Sequence, residues 1–310
     1  MGFFFQNYSL LSILGFIILV AALILINEVT RRSKIASYIF YIAVPVLLVI
    51  AIAMKWVHSP SSATWFGVVK TFSALLGVWG FMAIRYSSKV GGSKFAFVFP
   101  AAILSINIVE AITRDLEVFM TYKEKIIDPA GVVMQGGIWN ILNALAGVFL
   151  LITLTGCMGI KVAKTKSQDM VWPDQLWFWI IAYDVWNMAY CYNCISTRAM
   201  YAGAALLTSS TIAAFLCRKG AWLQHRAQTL AVFGMFSLAF DYQSISLFGI
   251  TSSYKPAALT VLSALALAVN FAVFVYEIVV IKKYKRNPVK QEMYTHLKAY
   301  KETLAVNGLD

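Results

Sequence analysis

The chain has 310 residues, of which 60% are apolar and only 13% charged, whereas an average soluble domain is roughly a quarter charged. A water-soluble chain of this length divides into about two domains and must wet the surface of both. The 26 Lys and Arg and 14 Asp and Glu are too few for that. The net charge of +12 would suit nucleic acid only if the basic residues shared one water-facing surface, so their positions decide the class.

In chain order, nine apolar runs lie near 8–27, 36–54, 64–84, 95–113, 138–160, 175–195, 198–217, 229–249 and 257–281. A bilayer core of about 30 Å takes roughly 20 apolar residues per helix. The runs therefore predict an all-α, polytopic membrane helix bundle over 1–284, with a basic amphipathic tail over 285–310; eight spans is the rival count. The first run is expected to be a retained helix and not a cleaved signal, because Met1 to Leu10 contains no basic residue. Cytoplasmic loops retain Lys and Arg, and alternate loops carry 19 basic residues on one side and six on the other. Arg31, Arg85, Lys161, Arg218, Arg226 and the tail belong to the rich side, while Lys55, Arg114, Arg198 and Lys255 belong to the poor one. The N-terminus is expected outside and the C-terminus in the cytoplasm of a multi-pass cell-membrane protein, a bacterial inner membrane being the expected location. The partner this implies is the lipid bilayer, with no nucleic acid; a homo-oligomer is compatible with the pattern. In the tail, Met293, Leu297, Tyr300 and Leu304 recur at helical spacing between lysines, as in a helix resting on anionic lipid. A partner-binding tail is the alternative.

Ionisable groups at membrane depth are costly and usually face the bundle interior or a water-filled cavity. Lys70 falls in the outer third of the third run, Glu110 near the outer end of the fourth, and Arg114 with Asp115 just past it. Asp184 and Asn187 sit mid-depth in the sixth run, Arg198 opens the seventh, and Asp241 with Gln243 occupies the middle to outer part of the eighth. This asymmetry predicts a polar pocket open to the outside. Structural pairings compete with it: Glu110 with Arg114 at i,i+4, or Asp184 and Asp241 held by Lys70 or Arg198. Pro45 and Pro100 are read as kinks.

The sixth run is the densest. Asp184, Asn187, Cys191 and Cys194 recur at steps of three and four, on one helical face. Tyr183 and Tyr190 flank that face and Trp179 and Trp186 lie on another, an aromatic wall suited to a cation or a planar solute. The seventh run, with Ala199, Ala202, Gly203, Ala204 and Ala205, permits close helix approach.

The Cys191-x-x-Cys194 pair admits redox chemistry at the outer surface. The three histidines, His58, His225 and His296, fall outside the runs, so no metal site is expected. Gly-x-Ser-x-Gly, Walker and Gly-x-Gly-x-x-Gly patterns are missing from the sequence. No cofactor is expected, and the balance leans away from an enzyme.

The segment from Tyr183 through Asp184, Trp186, Asn187, Tyr190, Cys191 and Cys194 to Arg198 resembles a signature of a bacterial family of polytopic membrane proteins of unassigned function. The resemblance implies a membrane bundle and no activity. On the residues themselves, the leading expectation is a transporter or solute-binding membrane protein for a small organic, cationic or aromatic solute, with a coupling proton or ion as an option. Asp184 and Asp241 would hold the solute or carry a proton, with Asn187, Tyr183, Tyr190 and Trp186 orienting it. Arg198, Glu110, Arg114 and Lys70 would pair or gate the mouth. An integral-membrane enzyme acting on a lipid or quinone, through these carboxylates or the Cys191/Cys194 pair, is the alternative, as is a receptor or scaffold.

Overall fold

Helix α1 (Leu10–Arg32) starts at Ser9, whose hydroxyl accepts the Ser12 N–H at 3.0 Å while Ser12 Oγ accepts the Ser9 N–H at 2.9 Å. This reciprocal cap satisfies two of the orphan donors of the first turn. After Ser33 the chain enters α2 (Lys34–Ala53), whose Ile39–Ala43 stretch is wound as a π-helix just ahead of Pro45. Proline has no N–H to give to the carbonyl four residues earlier. That carbonyl, on Tyr41, instead accepts Trp79 Nε1 from α3 at 2.5 Å. At Pro45, where a kink is expected from the sequence, the freed carbonyl thus ties α2 to α3.

The computed structural model describes residues 2–57, 59–62, 65–128 and 131–310; His58, noted in the sequence, lies outside the described residues. The remaining helices are α3 (Trp65–Tyr86), α4 (Phe95–Thr121), α5 (Ile138–Ile152), α6 (Trp177–Cys194), α7 (Ser196–Cys217), α8 (Trp222–Ala239), α9 (Pro256–Tyr284) and α10 (Lys298–Ala305). Among the described residues, six helices are long and apolar enough to cross a membrane: α1, α2, α3, α4, α7 and α9. α5 is apolar but has 15 residues. α6 and α8 have 18 each and carry Asp184, Asn187 and Asn193, or Gln224, His225, Arg226 and Gln228. These two face the interior, where polar side chains find partners, and so lack the uniform apolarity of a lipid-facing helix. Around them, α1, α2 and α9 present Leu14, Ile17, Leu25, Leu47, Ile50, Leu265 and Val279 exposed on the outside of the bundle. So continuous an apolar surface belongs in lipid.

The connections gather at two ends. At the N-terminal end, β1 (Phe5–Gln6) pairs antiparallel with β6 (Thr251–Ser252). There Ser59 Oγ donates to the Ser237 carbonyl at 2.7 Å, and the hairpin β2 (Ile126–Ile127) and β3 (Val133–Met134) is tied to α7 by Ser196 and Thr197. At the other end, a short hairpin of β4 (Lys161–Val162) and β5 (Met170–Val171) places Asp169 among Arg31, Arg85 and Arg218. α9 packs chiefly on α5 and α6, and α8 on α3.

Three boundaries differ from those read in the sequence, one of them the end of α5 at Ile152, two turns short of the apolar run at 138–160. α8 runs from Trp222 to Ala239, earlier than the apolar run at 229–249. The polar residues of its first turns are buried in the structure but exclude them from an apolar window. Residues 240–250 form loop and two 3₁₀ turns instead. α4 extends to Thr121, two turns past its apolar run.

The tail also differs. It folds back over the bundle, burying Met293, Tyr294 and Tyr300. Asp174 accepts the backbone N–H groups of Met293 at 2.5 Å and Tyr294 at 3.1 Å. Arg218 donates to the Val306 carbonyl at 2.9 Å, and Lys219 pairs with Glu302 at 3.0 Å. The apolar stripe expected to rest on lipid is spent on the protein, and the regular helix within it is only the eight residues of α10.

Candidate functional site

A cavity of about 170 Å³ lies between α3, α4, α6, α7 and α8, with loop residues Ser61, Asp128, Val132 and Tyr242 around its N-terminal end. Lys70, Arg114, Asn187, Tyr190, Cys191, Cys194 and Arg198, separately singled out from the sequence, all line it. The helical steps of three and four on α6 deliver Asn187, Cys191 and Cys194 to one wall. Opposite, α3 and α8 approach closely at Gly234, where an added Cβ would meet Thr71 Oγ1 at 2.7 Å. Lys70 Nζ pairs with Glu110 Oε2 at 2.9 Å. Glu110 and Tyr183 line a smaller adjoining cavity of about 60 Å³, and Asn107, Arg226 and Leu230 form the wall shared by the two.

Arg226 is the lining residue that the sequence hid, because the displaced eighth run assigned it to a cytoplasmic loop. It is 6% exposed, on the second turn of α8. Its Nη2 donates to Asn187 Oδ1 at 3.2 Å, and its guanidinium carbon lies 6.0 Å from the centre of the Tyr183 ring. Nε and Nη1 are buried with no hydrogen-bond acceptor among the described residues. At the mouth, Arg198 donates to Gln243 Oε1 at 2.8 Å and Ser61 Oγ at 2.6 Å, joining α7 to two loops. Arg114 pairs with Glu117 at 2.7 Å and not with Glu110, which Lys70 has taken.

A family model described as a family of unknown function, DUF5692, matches residues 6–306. The chain belongs to that family. No curated protein and no solved structure matches it. The likeness noted at Tyr183 to Arg198 is thus one part of a family relationship that spans nearly the whole DUF5692 chain and brings no activity with it.

Other residues of the DUF5692 protein drawn from the sequence lie elsewhere. Asp184 accepts Thr211 Oγ1 at 2.6 Å and lines neither cavity. Asp241, expected at mid-depth, is exposed beyond the end of α8. Trp186 is buried with Nε1 on the Asn143 carbonyl at 3.2 Å. Most of the aromatic wall is core: Tyr183 packs on Trp222 with ring centres 4.7 Å apart and on Trp179 at 5.9 Å. Of that wall, Tyr190 reaches the large cavity. Cys191 and Cys194 are free thiols, the latter donating to Asp115 Oδ1 at 3.4 Å.

Two carboxylates carry more structure than their sequence positions suggested. Asp115, fully buried, accepts Asn140 Nδ2 at 2.8 Å and Asn143 Nδ2 at 2.7 Å, with Asn193 at 3.4 Å, and so knots α4, α5 and α6 together. The i,i+3 pair Asn140 and Asn143 was the available signal. Asp169 accepts Arg31 at 2.9 Å, Ser167 at 2.6 Å and Gln224 at 3.0 Å, with Arg218 at 3.3 Å and Arg85 at 3.8 Å. Burial pushes its carboxyl up, but Arg31, Ser167 and Arg85 together outweigh that and hold it below the usual carboxylate range.

Proposed function

We propose that this DUF5692 protein is a solute-binding membrane transporter of the cell membrane, with a pocket open to the outside between α3, α4, α6, α7 and α8. In this reading the chain crosses nine times, with α8 enclosed, α6 largely so, and the short α5 showing Ile138, Leu145, Val148 and Ile152 to the lipid. The clustering of Arg31, Arg85, Arg218 and the basic tail at one end supports a cytoplasmic placement of that end, and the N-terminus is then outside. The observation that carries the function is the cavity itself. It lies at the level of the helices and is lined by charged and polar side chains, and its volume is comparable to an engineered cavity of about 150 Å³ that holds benzene. Soluble ligand sites combine apolar walls with a few placed polar groups in the same way. The ends of the bundle differ as well: among the described residues, loop residues and the Arg198–Ser61–Gln243 bonds border the cavity at the N-terminal end, whereas the Asp169 cluster and the folded tail lie at the opposite end of the bundle.

The test is capture of small molecules by the purified protein in lipid nanodiscs from a defined metabolite mixture, identified by mass spectrometry. The comparison is Ala202→Phe, which places a ring in the cavity. Retention by the wild type and loss in the filled variant is expected; equal retention by both would reject the cavity as the site.

A further inference from the structure

We infer that the cavity takes a small organic carboxylate, with Arg226 as its anion-binding residue. This rests on the solute-binding reading above and reverses the solute charge expected from Asp184 and Asp241, neither of which lines the cavity.

Four cationic side chains, Lys70, Arg114, Arg198 and Arg226, line the cavity against one carboxylate, Asp128. Lys70 and Arg114 have carboxylate partners in Glu110 and Glu117. Arg226 has no carboxylate at ion-pair distance among the described residues: Asp184 attracts it only from farther off, the Tyr183 hydroxyl lies beside it, and the amide oxygen of Asn187 accepts Nη2. A buried guanidinium keeps its charge at any accessible pH, and a charge taken out of water without a counter-charge is costly. Here that charge sits in the cavity wall, and Nε and Nη1 are shut off from water without an acceptor. An oxyanion in the cavity would supply the missing counter-charge, and a small turn of the guanidinium would give those donors an acceptor.

The ligand class follows from the rest of the lining. The planar donors of the Arg226 guanidinium match a carboxylate. Leu206, Leu230 and Phe233 give the wall an apolar part that an inorganic ion would leave unused and a short hydrocarbon or aromatic body would cover. Asn187 holds Arg226 in place through Nη2 and is a positioning residue.

The test is thermal unfolding of the full-length protein in neutral phosphatidylcholine nanodiscs, at constant ionic strength, with benzoate, benzylamine, benzyl alcohol and inorganic phosphate as probes. Benzoate is expected to raise Tm with dose, and the amine and alcohol of nearly the same shape are not. Arg226→Gln should weaken the apparent benzoate affinity by at least about tenfold, with Arg226→Lys in between. The comparison of benzoate with benzylamine is made on the wild type, so it stands even where a variant does not fold. Stabilisation by benzylamine in place of benzoate overturns the anion assignment and leaves the solute site standing. Stabilisation by phosphate alone overturns the organic carboxylate. No shift with any probe, in a protein that still captures metabolites in the filled-cavity comparison, overturns the charge assignment; no shift and no capture overturns the solute-binding reading as well.

Discussion

Asp115 sits one residue from Arg114 in sequence, and the two side chains serve different ends: Arg114 lines the cavity and Asp115 is locked into the contact between α4, α5 and α6. From the sequence the pair looked like charges just beyond a span. The extension of α4 to Thr121 carries Asp115 inside, and no apolar window could reveal it because the added turns contain Arg114, Asp115 and Glu117. Asp115→Ala would strand the amide donors of Asn140 and Asn143, and it is expected to cost about 3–5 kcal/mol. Chemical denaturation in detergent would show this as a lowered midpoint, and an unchanged midpoint would remove Asp115 from the structural account. Asp169→Ala is expected to be at least as damaging, since Arg31, Arg85 and Arg218 would face each other without their common carboxylate. The lost yield of folded protein should be partly restored by Asp169→Glu.

Among the elements, α6 was the most legible. Its boundaries and the shared face of Asn187, Cys191 and Cys194 beside the cavity follow from residues at helical spacing, while Asp184, read on the same face, turns to Thr211 instead. Less legible was the division of its rings between core and cavity, because Trp179, Tyr183 and Trp186 pack on α5 and α8, whose contacts no periodicity in α6 encodes. For α8 the error had a different cause. An inward-facing helix with Gln224, His225, Arg226 and Gln228 fails an apolarity test, while the loop after it, with Phe240, Ile245, Leu247 and Phe248, passes. The tail offers a pH test of its own. Burial pushes the Asp174 carboxyl up to about 6, against the pull of the Met293 and Tyr294 N–H groups, with Glu292 adding to the rise and Arg286 opposing it. Because the folded value lies above the ordinary one, the docked tail binds the proton more readily than the free tail. Docking therefore strengthens as pH falls from 7 through 6, and its Asp174 contribution weakens as pH rises. Hydrogen exchange at the Met293 and Tyr294 amides, corrected for intrinsic rates, is expected to show about tenfold more protection at pH 5 than at pH 7. Asp174→Asn should flatten that dependence, and the same slope in the variant would exclude Asp174 as its source.

For the whole molecule, composition alone pointed to a membrane bundle, and the structure supplies the lipid-facing surface that the low charged fraction implied. The sorting of charge also reads differently in three dimensions. Arg31, Arg85 and Arg218 mark one end of the bundle as the loops suggested, yet Arg31 and Arg85 are buried around Asp169 and not displayed to solvent. Arg226, counted with them, belongs to the cavity. The charge pattern thus grouped Arg31, Arg85 and Arg218, which do share one end of the bundle, and concealed the residue on which the anion-binding inference rests. The most direct test of an outward-open, cation-lined cavity is thiol labelling in intact cells of a chain whose four cysteines are replaced by serine and which carries Ala202→Cys on the cavity wall. Membrane-impermeant methanethiosulfonates bearing a sulfonate or a trimethylammonium group would be added outside, each rate divided by that reagent's rate with a free thiol in solution. The account predicts labelling from outside, faster with the sulfonate reagent; labelling only after access to the cytoplasmic side, or a faster normalised rate with the cationic reagent, would contradict it.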